Sequence, residues 1–413
     1  MTQEYRDMTE EDRIVRILRQ LPDEPPAPST VDVARTMVEG RRRRRARRWS
    51  AGVGLAAVTA IAAGGGTAAV SAMRETAPVP VPAATPVASR SSEPVKTPTG
   101  CRVALLPTGD ITKALVTSGD PTGRYLAGRV YPPGRKVHTV LWKDGVLQPR
   151  PAMPGADASF EDINSAGLAV GTSFDGDRQQ AYASTAETTT RLKGGRAVAA
   201  AVNDKGVIAG TLGEPHFGGV PTRWPSLTAA PVKLPLPAGF IGGDAGAIAE
   251  DGTIAGTVQR TGKEGTGYLW LPDGSGRLMP PPTFKDGSKA THFWPESIID
   301  GVVLGRGIRD GGDGSRSFES FRYRIATGKY ERLPIELFPP AIGAANGWVL
   351  GTTNGYAPVV VSGEEVVQLP KYKGMTEYVV SAFSADGKSG AGYTTDTTDA
   401  EPVANRPLRW TCS

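Results

Sequence analysis

Asn203-Asp-Lys-Gly-Val-Ile-Ala-Gly210 is a turn followed by a small apolar strand that ends in glycine. Asn-Asp-Lys-Gly suits a tight reversal, because glycine takes the positive φ such turns demand, and Val207, Ile208 and Ala209 then run on as a strand. The phrase returns as Asp120-Pro-Thr-Gly-Arg-Tyr-Leu-Ala-Gly128, Asn164-Ser-Ala-Gly-Leu-Ala-Val-Gly171 and Glu250-Asp-Gly-Thr-Ile-Ala-Gly256. Weaker copies are Asp300-Gly-Val-Val-Leu-Gly305, Ala345-Asn-Gly-Trp-Val-Leu-Gly351 and Ala385-Asp-Gly-Lys-Ser-Gly-Ala-Gly392. The final glycines stand 43, 39, 46, 49, 46 and 41 residues apart, so seven copies recur at about 44 residues.

Four short β segments are readable in each copy. In the third, the pattern predicts strands over 197–202, 207–212, 221–224 and 231–234. The third segment often ends in tryptophan (Trp142, Trp224, Trp270, Trp410), a side chain large enough to pack between neighbouring sheets. The fourth tends to end in Leu-Pro, as at Leu234-Pro235, Leu333-Pro334 and Leu369-Pro370. Four strands per unit at this period predict an all-β, seven-bladed β-propeller over residues 101–413. The last copy stops after its third segment, at Trp410. The first residues of the domain, Cys101-Arg-Val-Ala-Leu-Leu-Pro107, carry the missing fourth phrase. The N-terminal strand should therefore close the ring, which brings Cys101 and Cys412 onto adjacent strands. A disulfide between them would constrain a loop of some 310 residues, worth roughly 5–6 kcal/mol as an upper figure. It would also fit an oxidising, exported location.

The recurring Asn-Asp-x-Gly-x-x-x-Gly, with Leu-Trp or Arg-Trp after it, resembles the extracellular HAF-type repeats of bacterial exported proteins. The resemblance spans residues 101–413. It implies the repeat architecture and leaves activity open, since propellers host binders and enzymes alike.

Composition excludes several other classes. Glycine (52) and proline (35) together fill about a fifth of the 413 residues, too many breakers for a helical bundle or coiled coil. A hydrophobic share of 39% is too high for wholesale disorder and too low for a polytopic membrane protein. The net charge of +5 is concentrated: residues 1–40 carry −4, the run 41–48 (RRRRRARR) carries +7, and everything after carries +2. A basic block of this kind flanks membranes, and the chain lacks the spread of basic and aromatic residues that would expect a nucleic-acid partner. The two cysteines show no metal-ligand spacing.

From Trp49 to Met73 no residue is charged. Twenty-five residues make roughly 37 Å of helix, enough for a bilayer core of about 30 Å. Residues 49–73 are thus expected as one transmembrane helix, with the arginine run holding the N-terminus in the cytoplasm and the rest outside. The alternative is a signal peptide cleaved after Ala72, which would release the propeller. Residues 74–100, rich in Pro, Ala, Ser and Thr, are expected as an extended stalk. In the tail 1–48, Thr9 with Asp12 can cap a helix on which Ile14, Ile17, Leu18 and Leu21 form one apolar stripe. Pro22 to Pro28 ends it, and a second helix follows from Ser29. Helices this short need a partner for their stripes. An acidic two-helix tail, an arginine run, one span and an exported domain resemble the layout of membrane-bound anti-sigma factors. The zinc-type His and Cys motif is missing from residues 1–48, which leaves the zinc-free form. The resemblance implies a cytoplasmic sigma factor as partner of the Ile14, Ile17, Leu18, Leu21 stripe.

Residues for chemistry are sparse. His138, His216 and His292 lie in different repeats with no shared offset, and Asp120, Asp204, Asp251 and Asp386 recur as turn formers. No cofactor is expected. Two loops gather acidic oxygens that could hold Ca²⁺, Phe174-Asp-Gly-Asp177 and the segment with Asp310 and Asp313, without the full ligand spacing of a calcium loop. A GxSxG elbow and a Walker A loop are absent. The leading expectation is a single-pass, membrane-anchored extracytoplasmic propeller that binds a ligand or partner, coupled through its tail to a cytoplasmic regulator. The runner-up is a tethered propeller enzyme, such as a carbohydrate-active hydrolase; a structural protein of the cell envelope is third. Carboxylates with an arginine or histidine at the axial opening would favour the enzyme, and a bare or aromatic-rimmed opening would favour binding.

Overall fold

The computed structural model describes Pro98 and residues 100–413 apart from 135, 214–217, 312–313 and 396–404. The tail 1–48, the span 49–73 and all of the stalk but Pro98 and Gly100 lie outside the described residues, and so do Ile14, Ile17, Leu18 and Leu21. The described residues form β-strands and no helix, so none of their elements is a helix long and apolar enough to cross a membrane.

The chain begins with β1 (Arg102–Leu105). An antiparallel sheet follows in the order β2 (Ala114–Gly119), β3 (Tyr125–Val130), β4 (His138–Lys143) and β5 (Val146–Gln148). The next holds seven strands: β6 (Ala156–Ile163), β7 (Ala169–Asp175), β8 (Arg178–Ser184), β9 (Thr189–Val202), β10 (Ile208–Leu212), β11 (Val220–Trp224) and β12 (Val232–Lys233). It is two four-stranded units sharing β9. Thr189, Thr190, Arg191 and Arg196 pair with β8, residues 197–199, 201 and 202 pair with β10, and Gly194 and Gly195 turn the strand ahead of Arg196.

Three further four-stranded sheets follow. They are β13 (Gly242–Ile248), β14 (Ile254–Gln259), β15 (Thr266–Trp270) and β16 (Gly276–Leu278); β17 (His292–Ile299), β18 (Val302–Asp310), β19 (Arg316–Arg324) and β20 (Lys329–Arg332); and β21 (Leu337–Gly343), β22 (Val349–Thr353), β23 (Pro358–Ser362) and β24 (Glu365–Gln368). The last sheet runs β25 (Glu377–Phe383), β26 (Ser389–Thr395), β27 (Arg406–Thr411), β1. Arg102 pairs with Thr411 and Leu105 with Leu408, so β1 takes the outer place that the last repeat lacks. Cys101 and Cys412, 311 residues apart, are joined by a disulfide at that edge.

The glycine that ends each phrase is a packing requirement. A Cβ on Gly128, Gly171, Gly210, Gly256, Gly305 or Gly392 would lie 2.0 to 2.2 Å from a backbone carbonyl oxygen of the adjacent first strand, a distance no side chain tolerates. The carbonyl approaches because each of those pairings carries a bulge, which bends the first strand toward the second. Gly351 meets the Leu337 side chain instead.

Tryptophan and Leu-Pro turn out to be two halves of one contact. Trp270 Nε1 donates to the Pro235 carbonyl at 2.8 Å, Trp410 to Pro370 at 2.8 Å and Trp142 to Pro107 at 2.7 Å. In each case the third strand of one repeat reaches the end of the fourth strand of the repeat before it. Trp224 does the same with Lys193 at 2.7 Å. The Trp142 bond joins the first sheet to the chain end that leaves β1.

The apolar core is divided between sheets. Trp348, Leu350 and Val360 pack with Tyr378, Leu408 and Trp410 of the last sheet, and Leu106, Val116, Leu126 and Trp142 pack with Ala382 and Ala391. First strands touch first strands in succession, from β2 through β6, β9, β13, β17 and β21 to β25, and β25 touches β2. Four-stranded antiparallel sheets that pack face on face in chain order make a β-propeller.

Candidate functional site

The bulges put one extra residue of each first strand out of the pairing register. These positions hold Thr117, Glu161, Ala200, Gly246, Glu296 and Ser381, with Pro339 and Pro340 in β21. An extra residue on a first strand projects where the first strands face one another, so it is the place to look for a site. Most of its polar groups are used up in holding sheets together. Ser381 Oγ donates to the Val116 carbonyl of the first sheet at 2.7 Å. Glu296 is buried, accepting from Arg306 Nε on one oxygen and from the Ala341 amide of the next first strand, at 2.8 Å, on the other.

Glu161 is different. Glu161 is exposed to solvent, with protein packed close around its carboxyl. Burial raises its pKa above the usual carboxylate range, opposed by the charge of Arg129 and a hydrogen bond from Ser159. Arg129 Nη1 holds Asp157 Oδ1 at 3.1 Å, while its guanidinium lies 5.3 Å from the centre of the Tyr131 ring. Lys113 Nζ lies 4.6 Å from the same ring. Arg129 Nε is buried with no partner. Burial raises the Tyr131 hydroxyl and pushes Tyr393 up to about 12, so both remain neutral donors at physiological pH. One sector thus combines two carboxylates, an arginine and two tyrosines from the first, second and last sheets. It can bind a polar group through charge and hydrogen bonds while the rings cover its apolar side.

The neighbour Asp162 is spent on the frame. Oδ2 accepts the Val202 amide at 2.8 Å and Oδ1 its neighbour Ile163 at 2.9 Å, which ties β6 to β9. Burial nevertheless pushes its pKa up to about 7 against those two bonds.

The turn residues join repeats. Asn164 Nδ2 donates to the Asn203 carbonyl at 2.9 Å, Asn203 Nδ2 to Ala249 at 3.2 Å, and Asp204 Oδ1 accepts from the Ser165 amide at 2.8 Å. Asp120 accepts within its own turn from Thr122 and Tyr125, and Asp251 and Asp386 do likewise for Thr253 and Lys388. The turn acids therefore build the frame, as the sequence indicates, and some also link one turn to the next.

His138 is an exposed strand residue, His216 lies outside the described residues, and His292 Nε2 meets Asp310 Oδ2 at 2.9 Å. The other Asp310 oxygen accepts from Arg316 Nε at 2.8 Å, so the carboxylate that could have served calcium is already engaged by two nitrogen groups. Asp313 lies outside the described residues. Asp175 ends β7 and Asp177 lies in the two-residue turn before β8, and among the described residues no group of three or more His, Cys, Asp or Glu is placed to hold a metal.

Sequence reasoning missed Glu161, Arg129, Tyr131, Asp157 and Tyr393. A usable signal was there: Glu161 and Glu296 stand ten and nine residues ahead of the last glycines of their phrases, where other repeats carry Ala200 and Gly246.

No family model matches the chain, and no curated protein matches it. Among solved structures it is similar to YCF48 bound to D1 peptide, at 12% identity and a TM-score of 0.44, covering 77% of this chain and 98% of that one. It is also similar to the β-propeller domain of the Trilobed protease from Pyrococcus furiosus, described with an open velcro topology, at 13% identity and 0.48, covering 72% and 95%. TolB from Acinetobacter baumannii follows at 13% and 0.37, covering 70% and 83%. Likeness at this level says nothing of activity.

Proposed function

We propose that the chain is a single-pass membrane protein whose extracytoplasmic part is a seven-bladed propeller, closed by its N-terminal strand, that binds a ligand or partner at the opening around Glu161. Its cytoplasmic tail, through Ile14, Ile17, Leu18 and Leu21, couples that event to a regulator such as a sigma factor. The count of seven rests on the double register of β9, and closure rests on β1 in the last sheet and on the contact between β25 and β2. The Cys101–Cys412 disulfide supports export. The observation that carries the binding role is Glu161, accessible to water yet enclosed, beside Arg129 with its unpartnered Nε.

Two experiments test the two halves. A thermal-shift panel of amines, oligosaccharides and short peptides should yield a responder whose effect is lost in both Glu161→Ala and Arg129→Ala; a panel without responders, or a response indifferent to both changes, counts against the site. Residues 1–48, immobilised and exposed to cytosol, should capture a sigma factor that is lost when Ile17 and Leu18 become Asp. Capture of nothing specific reduces the tail to a topology signal.

The runner-up, a tethered hydrolase acting on carbohydrate, is favoured by Glu161 standing near the Arg129–Asp157 pair, because a carboxyl with a raised pKa suits a general acid. Hydrolysis of a responding oligosaccharide, abolished in Glu161→Gln while binding persists, would select it.

A further inference from the structure

A second concavity, distinct from the Glu161 sector, opens where the turn ends of the first and second repeats meet. It encloses about 440 Å³, within the range of small-molecule sites. Its charged lining is wholly cationic, Lys143 and Arg150, and no carboxylate borders it. Tyr125, Gln148 and Thr185 add polar groups, and Leu168 and Leu227 form apolar wall.

Two cations stand side by side here without a carboxylate between them. Arg129, Arg306, Arg309, Arg316 and Arg322 each hold a carboxylate. Among the described residues neither Lys143 nor Arg150 does: Lys143 rests 5.5 Å from the centre of the Tyr125 ring, and Arg150 lies 5.6 Å from that of Phe160. Arg150 Nη1 and Nη2 donate to the Ser184 and Gly167 carbonyls at 3.0 and 2.5 Å, which fixes the guanidinium without neutralising it, and its Nε is buried with no partner. Burial pulls its pKa down to about 10, so it stays charged at neutral pH. Arg277 shows that such a pose can be structural, since it reaches the Ile325 carbonyl of the next repeat over the Tyr323 ring. The structural role accounts for how Arg150 is held. It does not account for Lys143, a second cation on the same hollow, whose charge adds to that of the half-buried guanidinium and leaves the hollow complementary to an anion.

We propose that this pocket binds a small organic anion, its carboxylate or phosphate between Lys143 and Arg150 and its apolar body against Leu168 and Leu227. The test is calorimetric titration of the full chain in lipid nanodiscs with benzoate, phenyl phosphate and the uncharged benzyl alcohol, after subtraction of empty nanodiscs. At least one anion should bind where the alcohol does not, and the preferred one identifies the headgroup. Lys143→Met should weaken it about tenfold, Lys143→Arg should restore most of that loss, and Glu161→Ala should leave it unchanged, which separates this site from the one proposed above. Lys143 is a partly exposed strand end, so these variants should fold, whereas truncating Arg150 would strip the Ser184 and Gly167 carbonyls of their donor. No anion binding, equal binding of the alcohol, or indifference to Lys143→Met overturns the proposal.

Discussion

Glu161 and Glu296 occupy the same bulge in two repeats and do opposite things. Glu296 is buried between Arg306 and the Ala341 amide and fastens one first strand to the next. Glu161 faces water, with Ser159 and the charge of Arg129 for company. The backbone is shared, so what separates a structural residue from a candidate binding residue is whether the second and following first strands supply partners. Where both oxygens are taken, a residue can only hold the frame. Where they are not, it is available to something else.

The sharpest way to break this comparison is to remove the buried carboxylate. Glu296→Ala leaves Arg306 without its partner and the Ala341 amide without an acceptor, and should cost about 3 kcal/mol or more in chemical unfolding. A loss near zero would mean that Glu296 holds nothing. Next come the paired glycines. Gly171→Ala and Gly305→Ala each drive a Cβ to 2.0 and 2.2 Å from a first-strand carbonyl, and both should lose about 3 kcal/mol. Unequal losses would show that the two bulges are not equivalent, and the comparison of their glutamates would fall. Trp270→Phe removes the bond to Pro235 and leaves that carbonyl unpaired, at a cost of about 1 kcal/mol by the same measurement.

A pH measurement sharpens the picture around β6. Asp162 has its pKa pushed up to about 7 in the folded protein, while an unfolded aspartate titrates near 3.9, at roughly the peptide value. Between those limits the folded state keeps a proton that the unfolded chain has released, so this group's contribution to stability is full at low pH and is lost as pH rises through 7. The wild type should therefore lose more unfolding free energy between pH 5 and 8 than Asp162→Asn; identical slopes would remove Asp162 as the cause. The smallest effect is expected of Glu161→Gln, which should shift stability by no more than about 0.5 kcal/mol. A large loss there would make Glu161 a second Glu296 and take the binding site with it.

The repeat was legible because its punctuation is local: a turn needs Asn or Asp with glycine, and a half-buried strand needs small apolar residues. The place of β1 was legible too, since a repeat that stops at Trp410 and a domain that opens on Leu-Leu-Pro107 must share one blade. The Trp and Leu-Pro habits were each visible, yet their union was not. Trp410 and Pro370 are 40 residues apart, and only the stacking of sheets makes one the acceptor of the other. The bulges were invisible because a bulge is a property of two strands, while a residue such as Glu161 looks like any strand acid in one.

The amino-acid sequence by itself determined the period, the four strands of each unit and the pairing of Cys101 with Cys412, because turn geometry and chain order act over short range or follow from counting. The tertiary structure alone decided which polar side chains are spent. Glu296, Asp162 and Ser381 found partners on the neighbouring first strand, whereas among the described residues no opposite charge is bonded to Glu161, Lys143 or Arg150. Whether a charge is neutralised depends on what stands opposite it in space, and in a fold of stacked sheets that is set by residues some forty positions away.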